Sequence, residues 1–330
     1  MDADAIKGLL WGVAIGDSLG APHEFRTGRK LREYTGVLQF PVIRQNQWQG
    51  RRIGVVAQIS DDTEMAIALA AALVESRRFD RSRVAKAYMA WANSKCPFMG
   101  NNARALLHGV KTMRGYEGRY RKVYGGVHQD SWTQSNECLM RCAPIAAMGA
   151  AADAAARADC ALTNPHPVCI DACQVYIRAA LALGGGDAPE DVLMESPAWA
   201  ETDLIRNTLV EAGEPGSVRD VTGHSKGWVV HAVWCAFRSL AVLAEHGTFE
   251  DAIDWVVRCD GDTNTNACIA GALLGAALGY EGMDSERRTG ANIGLARAAD
   301  PNLGALPRPP GYHAARLDPL AAALSNVFRR

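Results

Sequence analysis

Apolar residues recur at helical spacing along most of this 330-residue sequence. Ile6, Leu9, Leu10, Val13 and Ala14 form the first stripe, because residues three and four positions apart share one face of a helix. The same period continues in seven further stretches: Met65–Val74, Val84–Trp91, Cys142–Ala156, Ala172–Leu183, Val229–Ala244, Phe249–Val257 and Cys268–Leu278. With no convincing run of strand-like alternation beside them, these stretches predict an all-α fold, a compact multi-helix bundle.

Local signals place some helix ends. Thr248 with Asp251 three residues later is typical of a capping box, and Ser60-Asp61 stands before a helix that we expect to begin near Glu64. The glycines Gly184–Gly186 are expected to end another helix.

The organisation of the chain is simple. No repeat or low-complexity tract divides the sequence, so a single domain over residues 1–330 is expected. Two polar stretches, Arg26–Gln58 and Tyr116–Gln134, interrupt the helical pattern and are expected to be long functional loops. The proline-rich segment Leu306–Tyr312 is expected to wrap the surface.

Charge and targeting signals exclude some partners. With 35 basic and 36 acidic residues the net charge is −1, so we expect no general nucleic-acid binding and a small-molecule or protein partner. Asp2 and Asp4 stand where a signal peptide needs positive charge, and no apolar run approaches the roughly 18 residues of a membrane helix. We therefore expect no membrane association and a cytoplasmic location.

The nine cysteines fit a reducing compartment, because they are odd in number and scattered through alanine-rich helical stretches. Cys138 with Cys142, and Cys169 with Cys173, are each four residues apart, so each pair would share one helix face. Such pairs could bind a soft metal, although buried apolar thiols are the favoured interpretation.

The first candidate site is the cluster Ser60-Asp61-Asp62-Thr63, at the junction of a glycine-containing loop and a helix. Adjacent carboxylates repel each other, and a bound cation removes that cost. The alternative is an ordinary helix start, where serine and aspartate are common for capping.

The second candidate is Asp260–Asn266, which offers only hard oxygen donors and one glycine. Such oxygens are what Mg²⁺ or Ca²⁺ selects, and no His or Cys is interleaved to suggest zinc. The apolar run Ala267–Gly275 follows at once, so the polar residues must end inside the core, where a metal would give them partners.

A third feature, Gly16–Glu24, lies at the end of the first predicted helix. Gly20 can stop that helix and Pro22 keeps the chain from re-entering it, which presents Glu24 on a loop. A carboxylate there could be a metal ligand or a general acid or base.

Three segments, GDSLGAPHEF, SDDTEMAIALA and DGDTNTNACIAGALLGA, resemble in sequence, order and spacing the signature segments of the ADP-ribosylglycohydrolase family. The resemblance spans about Ile6 to Gly279. Two weaker matches add to it: Pro97–Asn102 resembles a loop lining the ADP-ribose pocket, and Asn136–Pro144 resembles the phosphate loop.

The resemblance implies an all-α fold of that family's type and a centre of two Mg²⁺ ions, with Mn²⁺ as an alternative. Its metal ligands would be Ser60, Asp61 and Asp62 on one side and Asp262, Asn264 and Thr265 on the other. Two cations can orient ribose hydroxyls and a bridging water while a carboxylate handles the proton. The expected catalytic residues are Glu24, Asp61 and Asp262.

The resemblance also implies the ligand, which is ADP-ribose or an ADP-ribosylated substrate, with a protein favoured. Active members of the family cleave the C1″ bond between the distal ribose and a modified side chain, and arginine is the favoured linkage. Glu24 would lie on a mobile loop over that ribose. The pyrophosphate would lie near Gly100 and Asn102 and the loop residues Asn136, Glu137, Cys138, Leu139 and Met140.

The sequence departs from the family pattern in the metal segment and in the phosphate loop. Asn264 stands where aspartate is usual, which removes one negative charge, and a different register with Asp260, Asp262 and Thr263 as ligands is conceivable. Glu137 replaces a glycine, and its carboxylate would repel a pyrophosphate unless it turns away.

These departures leave a second function open, a catalytically weak ADP-ribose-binding or toxin-immunity protein. A purely structural role is disfavoured by the retained ligands. Asn164, where some relatives have histidine, is interpreted as part of a structural turn.

Overall fold

The computed structural model describes residues 1–24, 46–48, 51–53, 59–96, 99–283 and 308–329. Thirteen α-helices lie in these ranges: α1 Ala3–Gly20, α2 Asp61–Ser76, α3 Arg81–Ala92, α4 Asn101–Leu107, α5 Met113–Tyr124, α6 Ala152–Cys160, α7 Pro167–Gly185, α8 Pro189–Trp199, α9 Asp203–Gly213, α10 Val229–His246, α11 Phe249–Arg258, α12 Thr263–Gly282 and α13 Leu317–Phe328. The all-α prediction is confirmed. A small antiparallel hairpin, β1 Asn46–Trp48 and β2 Arg51–Ile53, pairs Asn46 with Ile53 and Trp48 with Arg51.

The centre of the fold is the pair of helices α1 and α12, which are both buried over most of their length. α1 places a glycine on one face at every fourth position, and a Cβ at any of them would overlap the backbone of α12. The two backbones therefore touch, and this contact fixes the ends of both helices relative to each other. The facing positions are Gly8 with Gly275, Gly12 with Gly271, Gly16 with Ala267 and Gly20 with Thr263.

The remaining helices cover this pair from two sides. α7, α10 and α11 pack on α12, whereas α13 packs on both α1 and α2, and α3 packs on α2. Among the described helices, α7 is the one long and apolar enough to cross a membrane, but 67% of its most apolar window is buried. α7 is thus a core helix. The sequence prediction that no apolar stretch approaches the length of a membrane helix did not take it into account.

Several helices were not predicted. The expected loop Tyr116–Gln134 is wrong in its first half, because α5 runs through to Tyr124. This helix buries only Tyr116 and Tyr124, two positions that make no continuous apolar stripe. α4 has only seven residues and α8 buries only two, so both were missed for a similar reason. In α9 and α13 the buried residues do follow helical spacing, and the sequence prediction missed them.

The single helix expected over Cys142–Ala156 is also wrong. The chain forms a 3-10 segment, Ala143–Ala151, and then the separate helix α6. The break is at Gly149, whose φ of 59° lies in the left-handed region that glycine adopts without strain.

The helix-end predictions agree with the structure. The Thr248 hydroxyl oxygen accepts a hydrogen bond from the backbone N–H of Asp251 (3.0 Å) at the start of α11. α7 ends at Gly185, and Gly186 takes a left-handed conformation with φ 103°. α2 begins at Asp61, three residues before the predicted start.

Two predictions on irregular segments have partial outcomes. Within Arg26–Gln58 the structure describes only the hairpin, and the other residues lie outside the described ranges. The segment Leu306–Tyr312 is described from Arg308 onward, and there it does more than wrap the surface. Arg308 reaches the interior and forms a two-point ion pair with Glu64 of α2 at 2.7 Å.

Candidate metal centre

The first arm of the site, Ser60–Thr63, is the start of α2. Ser60 occupies the N-cap position, yet its hydroxyl does not cap the helix. Its Oγ lies 2.7 Å from Oδ1 of Asp17 and 2.7 Å from Oδ2 of Asp62. Ser60 therefore does not act as an ordinary helix cap, which was the alternative explanation for this serine.

Asp17 of α1 organises the first arm. Its carboxylate accepts hydrogen bonds from the backbone N–H and hydroxyl of Ser60 (2.8 and 2.7 Å) and from the backbone N–H and hydroxyl of Thr63 (3.3 and 2.6 Å). Burial raises the pKa of Asp17 to about 6, although these hydrogen bonds oppose the rise. Sequence reasoning missed this role, and the available signal was an acid within the mostly apolar stretch Leu9–Leu19 of α1.

The second arm, Asp262–Thr265, is the start of α12. A turn with left-handed conformations at Asp260 and Gly261 leads into it, and Asp262 is the N-cap residue without a side-chain capping bond. The side chain of Asp262 is free to face the site, where its Oδ2 accepts a hydrogen bond from Asn136 Nδ2 at 2.8 Å.

The structure brings the two arms together. Asn264 Nδ2 donates to Asp62 Oδ2 at 3.2 Å and lies 3.5 Å from Ser60 Oγ. Thr265 is near enough to both Asp62 and Asp262 to act to lower their pKa values. Two segments some 200 residues apart in sequence thus form one polar cluster.

The alternative register, with Asp260 and Thr263 as ligands, fits the geometry less well. The Asp260 carboxylate accepts a hydrogen bond from the backbone N–H of Gly261 at 2.7 Å. The Thr263 hydroxyl donates to the carbonyl of Gly20 at 2.8 Å, which joins α12 to the end of α1. Both groups have local structural partners, whereas Asp262, Asn264 and Thr265 face the first arm.

Negative charge is concentrated in this cluster. Burial, reinforced by the neighbouring carboxylates, raises the pKa values of Glu24, Asp61 and Asp62 well above their ordinary ranges. Burial also raises the pKa of Asp262, while Lys226 acts to lower it. Glu24, at the end of the 3-10 turn Ala21–His23, is one of these interacting groups, as the sequence suggested.

The donor set fits a divalent cation. Asp62 Oδ1 and Asn264 Oδ1 are buried, and neither has a hydrogen-bond partner in the described part of the chain. A buried oxygen without a partner is costly, and a cation bound between the arms would satisfy both. All the donors are hard oxygens, the type that Mg²⁺ and Mn²⁺ select.

Glu137 takes a position that the phosphate-loop resemblance did not imply. Its carboxylate accepts hydrogen bonds from the backbone N–H groups of Asn102 (3.1 Å) and Ala103 (2.8 Å) at the start of α4. Asn102 Nδ2 donates to Thr163 O and Asn164 Oδ1, and Gly100 N donates to Asp61 Oδ2 at 3.3 Å. The N–H groups of Gly100 and Asn102 therefore have partners within the protein.

The rest of the predicted phosphate loop is a short 3-10 turn, Asn136–Cys138, followed by Leu139 and Met140. The side chains of Cys138, Leu139 and Met140 are buried in the core. Asn136 is the loop residue whose side chain reaches the site. The ligand contacts predicted for the other loop residues stay predictions.

Asn164 is buried and holds three segments together. Its Nδ2 donates to the carbonyl and hydroxyl of Ser135, and its Oδ1 accepts hydrogen bonds from Asn102 Nδ2 and the Thr163 hydroxyl. These contacts agree with the structural turn expected from the sequence.

The fold and the cluster together define an all-helical protein with a carboxylate centre between two helix starts. A solved structure titled "ADP-ribosylglycohydrolase-related protein complex" has this fold, with a TM-score of 0.68 at 20% identity, and the match covers 99% of this chain and 98% of that one. The family model for ADP-ribosylglycohydrolase matches residues 2–300. This chain belongs to the ADP-ribosylglycohydrolase family and is an enzyme that hydrolyses glycosidic bonds.

Two relatives match over most of their length. The ADP-ribosyl-[dinitrogen reductase] glycohydrolase of Rhodospirillum rubrum is 26% identical over 286 residues, which is 86% of this chain and 88% of the relative. The ADP-ribosylarginine hydrolase Tri1 of Pseudomonas putida (strain GB-1) is 28% identical over 302 residues, covering 86% of this chain and 73% of the relative.

Proposed function

We propose that this enzyme removes ADP-ribose from an arginine side chain of a protein, using two Mg²⁺ ions held between the two arms. The observation that carries the proposal is the hydrogen bond from Asn264 to Asp62, which closes a cluster of hard oxygens. The arginine linkage is supported by similarity to a relative named ADP-ribosylarginine hydrolase.

The metals would be held by Ser60, Asp61 and Asp62 on the first arm and by Asp262, Asn264 and Thr265 on the second. When bound, such ions orient ribose hydroxyls and a water and offset developing negative charge. Asp17 would keep the first arm in place through its four hydrogen bonds, and Asn136 would do the same for Asp262. Mn²⁺ has the same preference for oxygen and is the alternative ion.

Glu24 is the residue we assign to proton transfer. Its largely buried carboxylate has a pKa well above the ordinary range, because burial and the charges of Asp262 and Asp62 disfavour ionisation. In its ionised form, which cations bound beside Asp62 and Asp262 would favour, this carboxylate can take a proton from the attacking water and then give that proton to the leaving guanidino nitrogen. Water adds to C1″, the C1″–N bond breaks, and arginine leaves. Asp61 and Asp262 would hold the reacting ribose and water.

The adenosine end of the ligand has room beside the cluster. A cavity of about 640 Å³ is lined by Trp132, Gln134, Ser135, His224, Ser225, Gly227 and Trp228. Gly227 connects this cavity to the metal site, because a Cβ there would lie 3.6 Å from Asp262 Oδ2. Indole rings offer flat faces on which adenine can stack. We therefore place the distal ribose at the cluster and the adenine among these aromatic residues.

The test offers the purified protein a panel of substrates carrying ADP-ribose on arginine, on serine or on a nucleic-acid base, with Mg²⁺ and with EDTA. We expect release of ADP-ribose from arginine, dependent on Mg²⁺ or Mn²⁺. Release from serine or a base alone would refute the arginine assignment. Turnover at an unchanged rate in EDTA would refute the metal assignment.

Asn264 motivates one alternative, a protein that binds ADP-ribose with little turnover. In that case ADP-ribose would raise the melting temperature in Mg²⁺, since a ligand that binds only the folded state stabilises it, while the whole panel stayed uncleaved. Glu137, which also pointed to this alternative, instead caps α4.

A further inference from the structure

A second group of potential metal ligands lies behind the loop Asn136–Cys138. The sulfur atoms of Cys138, Cys160 and Cys173 are all within 4.8 Å of one another, and each residue is 0% exposed. Cys138 ends the 3-10 turn, Cys160 is the last residue of α6 and Cys173 lies on α7. Three separate elements thus direct thiols to one point.

A fourth thiol lies next to this group. Cys169 lies one turn before Cys173 on α7, so both side chains share a helix face, as their spacing predicted. Cys169 and Cys138 both donate hydrogen bonds to the carbonyl of Ser135, at 3.9 and 3.7 Å, so their sulfurs share one acceptor. We call Cys138, Cys160, Cys169 and Cys173 the thiol cluster.

The favoured interpretation from sequence was ordinary buried thiols, and the cluster differs from it in two respects. An ordinary buried cysteine packs as a small hydrophobic residue. Here the Cys138 sulfur lies within 4.8 Å of two other sulfurs, and the guanidinium of Arg141 is near enough to act on both Cys138 and Cys160. Burial acts to raise the pKa of Cys138, but the three thiols and Arg141 bring it well below its ordinary value.

We propose that the thiol cluster binds one Zn²⁺ ion. Zinc takes four thiolates at about 2.3 Å in a tetrahedron, which places the sulfurs roughly 3.8 Å apart. The three sulfurs that lie within 4.8 Å of each other need to approach by about 1 Å or less to reach this geometry.

The chemistry of the donors separates this site from the carboxylate centre. Soft thiolates select zinc, whereas the carboxylate, amide and hydroxyl oxygens between the two arms select magnesium or manganese. A zinc ion with four thiolates carries a charge of −2 by count. The guanidinium of Arg141, which is fully buried and ion-paired with Asp159 at 3.1 Å, lies near Cys138 and Cys160.

The position of the cluster gives the ion a structural role. Cys138 is the last residue of the turn Asn136–Cys138. The first residue of this turn, Asn136, contacts Asp262, and the second, Glu137, caps α4. Zinc at Cys138 would tie this loop to α6 and α7. Because the sulfurs are fully buried, we expect the ion to enter during folding rather than into the finished protein.

The test measures zinc by mass spectrometry in the full chain, produced with zinc supplied and purified in excess Mg²⁺. We expect about one Zn²⁺ per chain in the wild type, and loss of most of it in Cys160→Ser and Cys173→Ser. The matched control is Cys235→Ser, because Cys235 is an equally buried cysteine on α10 that lies near Cys259 and outside the cluster. This variant should retain the ion.

Cobalt keeps the proposal testable if the serine variants fail to fold. Wild-type protein refolded with Co²⁺ should show a thiolate-to-cobalt charge-transfer band, which oxygen ligands at the carboxylate centre do not give. Substoichiometric zinc without this band would overturn the proposal. An intact mass lower by two hydrogens, with a disulfide mapped inside the cluster, would overturn it as well.

Discussion

The first arm, Ser60–Thr63, is held by several side-chain contacts from distant parts of the chain, whereas the second arm, Asp262–Thr265, is held by the packing of its own helix and by the hydrogen bond from Asn136 to Asp262. Asp17 fixes the first arm from α1, and Arg308 fixes Glu64 just behind it with two bonds of 2.7 Å. The second arm begins α12, whose backbone touches α1 along a row of glycines.

This difference teaches that one metal centre can depend on two kinds of contact. The row of glycines in α1 positions both arms. It holds α1, which contains Asp17, against α12, whose first residues form the second arm. The polar contacts of Asp17 and Arg308 position the first arm alone. Substitutions in the glycine row should therefore affect the whole fold, whereas substitutions of Asp17 or Arg308 should act mainly at the first arm.

The largest effect is expected from Gly12→Val. The new side chain would overlap the carbonyl of Gly271, and neither helix can move aside without opening the core. Overpacking of this kind costs about 1–3 kcal/mol for an added methylene and more when the obstacle is backbone. We expect no soluble folded protein in a circular-dichroism melt. Gly118→Val on α5 is the control, since nothing lies within 4 Å of its Cβ position. Equal behaviour of the two variants would contradict the close packing.

The next effect is expected from Arg308→Gln. Glu64 is 0% exposed and accepts hydrogen bonds from Arg308 and from Trp91 Nε1. Removing one partner of a buried ion pair costs about 3–5 kcal/mol, because the remaining charge stays buried. The free energy of unfolding in urea measures this loss.

The matched control for Arg308 is Arg157→Gln. Arg157 pairs with Glu201, and the two side chains are 50% and 59% exposed. Exposed pairs contribute about 0–1 kcal/mol, so this variant should unfold almost like the wild type. A loss below 1 kcal/mol in Arg308→Gln would show that the first arm does not need this anchor.

Asp17→Asn should act on the metal more than on the fold. The carboxylate of Asp17 accepts hydrogen bonds from Ser60 and Thr63. In asparagine one of its two oxygens is replaced by an N–H₂ group, which cannot accept them, and each donor left without a partner costs about 1–3 kcal/mol. We expect Mg²⁺ affinity, measured by calorimetry, to fall by about tenfold or more. Ser18→Ala serves as the control, because within the described ranges the Ser18 hydroxyl donates to the carbonyl of Ile15 in the same helix and to no group of the site. Unchanged affinity in Asp17→Asn would remove Asp17 from the site.

The smallest effect is expected from Asn264→Asp. The added charge should tighten Mg²⁺ binding by about tenfold, or about 1.4 kcal/mol, and raise the rate of ADP-ribosyl hydrolysis. Asp262→Ala should abolish both. The control is Asp260→Asn, at the residue that ligates only in the alternative register. If Asp260→Asn lost binding while Asn264→Asp changed nothing, the alternative register would be correct.

The sequence revealed the two arms and not what holds them. Ser60–Thr63 and Asp262–Thr265 are contiguous runs of oxygen donors, so their chemistry is readable without a structure. Their partners are remote: Asp17 is 43 residues from Ser60, Asn136 is 126 residues from Asp262, and Arg308 is 244 residues from Glu64. A periodicity argument cannot pair such positions, because it describes only neighbours on one helix.

Glu137 shows the same limit in a different way. Its charge suggested repulsion toward a pyrophosphate, which would be correct if the side chain faced the cleft. The start of α4 offers two backbone N–H groups at the right distance, and the carboxylate turns to them. That helix was not predicted, because its seven residues bury only Ala103, Leu106 and Leu107.

The contact of α1 with α12 also sets the order of events during synthesis. α1 leaves the ribosome early, but the Thr263 hydroxyl that bonds to Gly20 follows 243 residues later. At about 5–20 residues per second, roughly 12 to 50 s pass before α12 can cover the glycine face of α1. For that interval an apolar helix stays exposed on the nascent chain, where holding chaperones can bind it and where neighbouring nascent chains on one messenger can aggregate through it.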